Sequence, residues 1–280
     1  MTDAIQSRFD LARQLATEGG ALALSHFQNR DRLVIEAKAS PQDIVSRADR
    51  EVEDLIRAGL LAAFPQDAIL GEEGGAQTGD SGFLWVIDPI DGTSPYLAGL
   101  PHWCVIIALV QGDETVAAVT AHPLSGEVFT AIRGQGAWVN DTPMRCDPAH
   151  RITNSLVAIG ASHRTDPDHV SGVIAGLMQA GGIFYRNGSG GLMLASVAAG
   201  RLGGYYEPHM NPWDCLAGAL MITEAGGRAL PIGTDPGGDL VLATAPGVFD
   251  DLCAVVAKAP PDQNNPDQNY QARMRTPSGS

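Results

Sequence analysis

The chain has 280 residues, 44% of them hydrophobic, enough to bury a sizeable core as one large domain or two coupled ones. A formal net charge of -14 argues against a nucleic-acid groove or an anionic membrane surface as the main partner, although bound metal ions can reverse the field around a phosphate. Cys104, Cys146, Cys215 and Cys253 include no CxxC pair, which speaks against a zinc knuckle or a disulfide framework and predicts buried, reduced thiols.

Residues 1–27 set Asp3, Asp10 and Glu18 among Ile5, Phe9, Ala12, Leu15 and Ala16 at helical spacing, a pattern of an amphipathic helix and not of a secretory signal. The apolar run at 21–24 is too short to span a bilayer, so a cytoplasmic protein is the expectation. A strand-like 33–37 is followed by Lys38, Asp43 and a helix over 46–64, closed by Pro65, with Val52, Leu55, Ile56, Gly59, Leu60 and Ala63 as its core face. On this pattern alone Asp49 is a first-turn acid favoured by the helix dipole, and Lys38 a solvated base. Ile69 and Leu70 then run into Gly71-Glu72-Glu73-Gly74-Gly75, which puts carboxylates into a glycine-rich bend.

The stretch 85–96 is the most informative. Leu84 to Ile87 reads as a strand buried on both faces, and it ends abruptly in Asp88-Pro89-Ile90-Asp91-Gly92-Thr93. Two carboxylates about 4 Å apart repel by roughly 4 kcal/mol at an effective dielectric of about 20, so the pair needs a proton, a cation or free access to water. Mg²⁺ held by Asp88, Asp91 and the carbonyl of Ile90 meets that need, and the amides of Gly92 and Thr93 lead into a helix start suited to phosphate. Taken by itself, a solvated turn after a core strand accounts for the pair equally well.

Short β-favouring runs at 103–110, 115–121, 127–132 and 137–139 read as an antiparallel meander, with 134–136 as a hairpin turn and not a nucleotide loop. The polar, proline-bearing 141–151 predicts a boundary, giving 1–145 as one subdomain, 146–259 as a second and 260–280 as a flexible tail too polar to pack. In the second part, strands at 155–160, 183–185 and 203–206 alternate with helices at 170–180 and from Ser189 to Ala199, an α/β half whose last strand ends in Glu207. Asp166-Pro167-Asp168 lacks the preceding apolar strand that a nucleophilic DxD needs. Asn211-Pro212-Trp213-Asp214 opens a helical 215–225 that Gly226-Gly227 stops. No histidine pair at i, i+4 has a third ligand in view, so oxygen ligands select a hard ion such as Mg²⁺ over Zn²⁺; His102 and His209 read as structural.

The Glu72 turn, the strand-turn from Trp85 to Thr93, and the helix that begins at Trp213-Asp214 and ends in Glu224-Ala225-Gly226-Gly227 occur in that order. Together they resemble the signatures of the inositol monophosphatase family of Mg²⁺-dependent phosphatases, from about Ile5 to about Val256, and Lys38, Asp43, Val45, Ser46, Ala48 and Asp49 fit the same family's pattern. The resemblance implies a layered αβαβα sandwich of the inositol monophosphatase and fructose-1,6-bisphosphatase type, an α+β or α/β fold, in a homodimer with neither nucleic acid nor membrane as partner. It implies a lithium-sensitive phosphomonoesterase in which Glu72, Asp88 and the Ile90 carbonyl hold one Mg²⁺, and Asp88, Asp91 and Asp214 a second. Metal-activated water, oriented with help from Glu72 and Thr93, then attacks phosphorus without a phosphoenzyme, while Asp49 and Lys38 hold Thr93 and the ligands in place. Asp91, Gly92, Thr93, Ser162, Gly190 and Glu207 would contact the substrate, Glu207 accepting from hydroxyls of inositol 1-phosphate or a similar small polyol phosphate.

Histidinol phosphate, whose amine could pair with Glu207, is the alternative substrate, as are a sugar phosphate and a 3′-phosphonucleotide. A non-catalytic binding protein would be expected to have lost ligands, and none is lost. The chain departs from the family at Ser94-Pro95-Tyr96, where Asn-Phe commonly follows the threonine, and at Met193, where bacterial relatives often carry Asp or Asn.

Overall fold

The computed structural model describes residues 3–29, 35–37, 44–264 and 274, and the side chains of all of these except 35–37, 44 and 45. Helix α1 (Asp3–Gln28) buries Ala12, Leu15, Ala16, Ala23 and Phe27, the face its spacing predicts. Strand β1 (Ile35–Ala37) pairs antiparallel with β2 (Ile44–Ser46), and α2 (Arg47–Ala63) begins on Ser46. The Ser46 hydroxyl accepts from the Ala48 amide while Asp49 accepts from the Ser46 amide at 2.9 Å, a reciprocal cap that satisfies amides the helix start would otherwise leave open.

Strands β3 (Ala68–Gly71), β4 (Gly75–Gln77), β5 (Phe83–Asp91), β6 (Cys104–Gln111), β7 (Glu114–His122), β8 (Glu127–Ile132), β9 (Ala137–Val139) and β10 (Thr142–Pro143) form one sheet in the order β10-β9-β8-β7-β6-β5-β3-β4. The short helix α3 (Thr93–Leu97) lies between β5 and β6. Neighbours in this sheet are antiparallel except β3 and β5, which run parallel with Gly71 opposite Ile87, so Glu72 and Asp88 follow at the same end of the sheet. That one parallel pair is what brings two distant acidic turns together.

A second sheet holds β11 (Leu156–Ile159), β12 (Ile183–Tyr185), β13 (Gly204–Met210), β14 (Arg228–Ala229) and β15 (Asp239–Thr244) in the order β12-β11-β13-β15-β14. Helices α4 (Pro167–Gln179), α5 (Gly190–Ala198), α6 (Pro212–Glu224) and α7 (Phe249–Val256) connect or follow these strands. Side chains of β5 and β6 alternate between two cores: Trp85, Ile87, Val105 and Ile107 join α1 and α2, whereas Val86, Ile106 and Ala108 join α5 and α6. Both strands are therefore apolar on both faces. Helices α5 and α6 also contact β13 and β15, and α4 and α7 pack on β12 and β15, so the layers run α1/α2, large sheet, α5/α6, small sheet, α4/α7. This is the expected αβαβα sandwich.

Met144 and Cys146, from the polar 141–151, and Ile152 just after it are buried in the cluster that α5 and α6 share with both sheets. Within the expected tail, Pro260, Asp262 and Met274 make contacts with the rest of the chain. His169 is fully buried and needs polar partners; its Nδ1 donates to the Pro260 carbonyl at 2.6 Å and its Nε2 meets the Tyr206 hydroxyl at 2.7 Å. Asp262 is buried and accepts from the amide of Asn264 at 2.9 Å, and Met274 is buried in the α5–α6 cluster. Residues 265–273 and 275–280 lie outside the description.

Candidate metal and phosphate site

The register between β5 and β6 shifts between Asp88 and Asp91, which releases both carboxylates from the alternating pattern of the strand. Asp88 Oδ1 accepts from the Ile90 amide at 3.0 Å, and the Thr93 hydroxyl donates to the Ile90 carbonyl at 3.2 Å. That carbonyl keeps a second lone pair for another partner. Gly92 turns the chain into α3 with φ of 89°, and a Cβ there would stand 2.6 Å from the His102 carbonyl oxygen, so glycine is required twice over. In α3, Pro95 sits in the first turn without breaking it, and the buried Tyr96 hydroxyl donates to the Ala23 carbonyl at 2.8 Å.

Asp214 arrives from the other sheet. It is the third residue of α6, where Pro212 opens the helix and Asp214 Oδ2 accepts from the Asn211 amide at 3.2 Å. One carboxylate oxygen from each of Asp88, Asp91 and Asp214 lies within 4.8 Å of the other two. Burial pushes the Asp88 carboxyl well above its usual range, helped by the charges of Glu72, Asp214 and Asp91. Burial, then the charge of Asp91, pushes Asp214 up to about 7. Asp88 and Asp214 share a hydrogen bond, which requires a proton on one of the two carboxyls.

Asp91 is cradled by the start of α5. Its Oδ2 accepts from the Ser189 hydroxyl, from the Gly191 amide at 2.8 Å and from the Cys104 thiol at 3.4 Å, and its Oδ1 accepts from the Gly190 amide at 3.2 Å. Burial still leaves its carboxyl raised, against the opposing pull of those donors. Nothing in the sequence pattern singles out Ser189, Gly191 and Cys104 for this task, although Ser189 stands where a helix cap is expected. All four cysteines are free and buried, as predicted.

Glu72 is near Asp88: its amide donates to the Ile87 carbonyl at 3.2 Å, and its charge acts on Asp88. Asp49 is fully buried at the start of α2, where its Oδ2 also accepts from the Ser46 hydroxyl at 2.6 Å. Lys38 and Asp43 lie outside the described residues.

A cavity of about 150 Å³ opens next to the aspartates, lined by Asp91, Asp214, Gly188, Gly190, Met193, Met210, Gly160, Ala161, Arg186 and Glu207. Glu207 accepts from the Tyr205 hydroxyl, and burial, offset by that bond and reinforced by the Asp214 charge, pushes its carboxyl up to about 7. The Ser162 hydroxyl accepts from the Arg164 amide within its own turn, and its neighbours Gly160 and Ala161 line the cavity. His102 and His209 stay out of the lining, while Met193 and Arg186 are in it.

Among the described residues no lysine or arginine forms an ion pair with Asp88, Asp91 or Asp214. Carboxylates crowded in this way need neutralising, by a proton or by a cation. An all-oxygen set of this kind fits a hard divalent cation, with Glu72 and the Ile90 carbonyl as neighbouring donors.

A model of the inositol monophosphatase family matches residues 5–258. The Nus factor SuhB of Xylella fastidiosa is 42% identical over 215 residues, 76% of this chain and 77% of that protein. The inositol-1-monophosphatase of Rhizobium meliloti is 37% identical over 233 residues, covering 80% and 82%. Among solved structures, the extragenic suppressor protein SuhB of Bartonella henselae superposes with a TM-score of 0.83 at 32% identity, covering 90% of this chain and 99% of that one. The IMPase of Thermotoga maritima gives 0.80 at 28% identity, covering 89% and 96%.

Proposed function

The chain belongs to the inositol monophosphatase family and is a phosphoric monoester hydrolase, and we propose that it hydrolyses inositol 1-phosphate or a similar small polyol phosphate with Mg²⁺ as cofactor. The observation that carries this reading is the buried triad of Asp88, Asp91 and Asp214 beside a cavity that Glu207 lines. Asp88, Asp91, Asp214, Glu72 and the Ile90 carbonyl would hold the ions. Bound divalent cations supply a nucleophilic water at neutral pH and neutralise charge on the phosphate.

The chain's own residues do the rest. The Thr93 hydroxyl, tethered to the Ile90 carbonyl, is placed to orient water, with Glu72 as its base; Asp49 and Lys38 support that turn. The amides of Gly92 and Thr93 would hold the phosphate, and Gly190 holds Asp91 while lining the cavity. Glu207, oriented by Tyr205, takes a hydroxyl of the leaving alcohol. Arg186 lines the same cavity and would repel the amine of histidinol phosphate, which favours the polyol. A homodimer, inhibition by Li⁺ and residence in the cytoplasm belong to the same reading.

A phosphate-release panel tests it. With Mg²⁺, inositol 1-phosphate should be turned over with a higher kcat/KM than histidinol phosphate, a sugar phosphate or a 3′-phosphonucleotide, and EDTA should stop release. Preference for histidinol phosphate would overturn the substrate, and release unaffected by EDTA would overturn the metal.

A further inference from the structure

Helix α2 carries Asp49, Glu53 and Arg57 at steps of four residues, one above the other on a single face. Glu53 is 2% exposed, and its carboxylate accepts from the amides of Glu73 and Gly74, both at 2.8 Å, and from Arg57 Nε at 2.6 Å. Arg57 reaches past it to donate to the Gly75 carbonyl. A Cβ on Gly71 would lie 2.2 Å from Glu53 Oε1, and one on Gly74 2.7 Å, so the bend is glycine-rich in order to wrap closely around this carboxylate. Glu72, between them, has its own amide on the Ile87 carbonyl.

Glu72 is therefore pinned to β5 on one side and to α2 on the other. Burying a carboxylate is costly unless it is paired and fully hydrogen-bonded, and a three-residue surface turn does not need such a device to close. We infer that Glu53, locked by Arg57, is a positioning residue that fixes the Glu72 carboxylate against Asp88 and so sets the site's affinity for its divalent ion. The inference rests on the reading of Glu72 as a metal ligand.

Mn²⁺ binding to the purified full chain, followed by electron paramagnetic resonance, tests it together with amide exchange at Glu73 and Gly74. Glu53→Gln keeps the size of the side chain but turns an NH₂ toward a backbone donor, so Mn²⁺ affinity should fall roughly tenfold or more while both amides exchange faster. Glu72→Gln should weaken Mn²⁺ at least as much and leave those amides protected. Faster exchange in Glu53→Gln with wild-type Mn²⁺ affinity overturns the inference and leaves the ligand reading intact. Unchanged affinity in Glu72→Gln removes the ligand reading, and the inference with it. If Glu53→Gln does not fold, Arg57→Lys, which keeps the Glu53 carboxylate and gives up the Gly75 contact, should lower affinity a few-fold; no change overturns the inference.

Discussion

Replacing Asp88 with Asn separates the electrostatic cost of the site from its purpose. Asp88 is 1% exposed, and its oxygen lies within 4.8 Å of oxygens from Asp91 and Asp214. At that distance two unit charges repel by about 3.5 kcal/mol at an effective dielectric of about 20, so full ionisation sets roughly 7 kcal/mol against Asp88 from two neighbours. In the metal-free protein burial and the neighbouring charges raise the Asp88 carboxyl, which favours its protonated form. Asn has the shape and charge of a protonated Asp, and its oxygen can still accept from the Ile90 amide. At about pH 5.5 the variant should therefore match the native protein within about 1 kcal/mol.

The pH dependence follows from the direction of the shifts. An acid whose folded value is raised contributes stability below its unfolded value, and that stability is lost as pH rises through the folded one. Asp214 and Glu207, both pushed up to about 7, put part of that loss between about pH 5 and 8, and Asp88, raised further, extends it upward. Each carboxyl held near 7 corresponds to roughly 3–4 kcal/mol at most, and coupling makes the sum smaller. Metal-free native protein should accordingly be several kcal/mol less stable at about pH 8.5 than at 5.5, and Asp88→Asn should lose less. Mg²⁺ at a hundredfold excess over its dissociation constant should return about 2.7 kcal/mol to the native protein and little to the variant. Urea unfolding of both proteins at the two pH values, in EDTA and in Mg²⁺, measures all of this. A full Mg²⁺ gain in Asp88→Asn, or native metal-free stability that is flat with pH, would refute the reasoning.

Glu207→Gln should keep hydrolysis of a simple aryl phosphate and lose about 1 kcal/mol of kcat/KM on a polyol phosphate, against roughly 2–3 kcal/mol if the partner is a cationic amine; equal losses on every substrate would place Glu207 in the chemistry itself. Gly160→Ala sets a Cβ 2.0 Å from Glu207 Oε2 and should reproduce that substrate-selective loss, read again as kcat/KM on the same three compounds. Met274→Ala should cost about 2 kcal/mol in urea unfolding, because this methionine is 2% exposed within the α5–α6 cluster, and no change would mean that the tail contributes nothing to the core.

Much of the candidate site is legible in the sequence because its carboxylates follow strong local signals. An apolar strand that stops at Asp88, a glycine bend at Glu72 and a helix opened by Asn211-Pro212 each announce a turn, and each turn carries an acid. The alternation of β5 and β6 between two cores leaves no polar face, which is why those strands read as continuous apolar runs. What is hidden is the contact between distant segments. The donors on Asp91 come from Ser189, Gly190 and Gly191, about a hundred residues away, and Glu53 looks like one more acid on a helix until the turn is seen wrapped around it. The bond between the Ser162 hydroxyl and the Arg164 amide is likewise visible only in the folded turn. In the tail, polar composition measures the average of a segment, whereas Asp262 and Met274 are buried one at a time and the Pro260 carbonyl is bonded to His169.

Locating the ions tests the central claim most directly. Crystals grown with Mn²⁺ and inorganic phosphate, measured on both sides of the manganese absorption edge, should show anomalous peaks coordinated by Asp88, Asp91 and Asp214, with Glu72 and the Ile90 carbonyl as further ligands and phosphate bridging toward Gly92 and Thr93. Empty density between the three aspartates in a preparation that still releases phosphate, or manganese bound only elsewhere, would contradict the account.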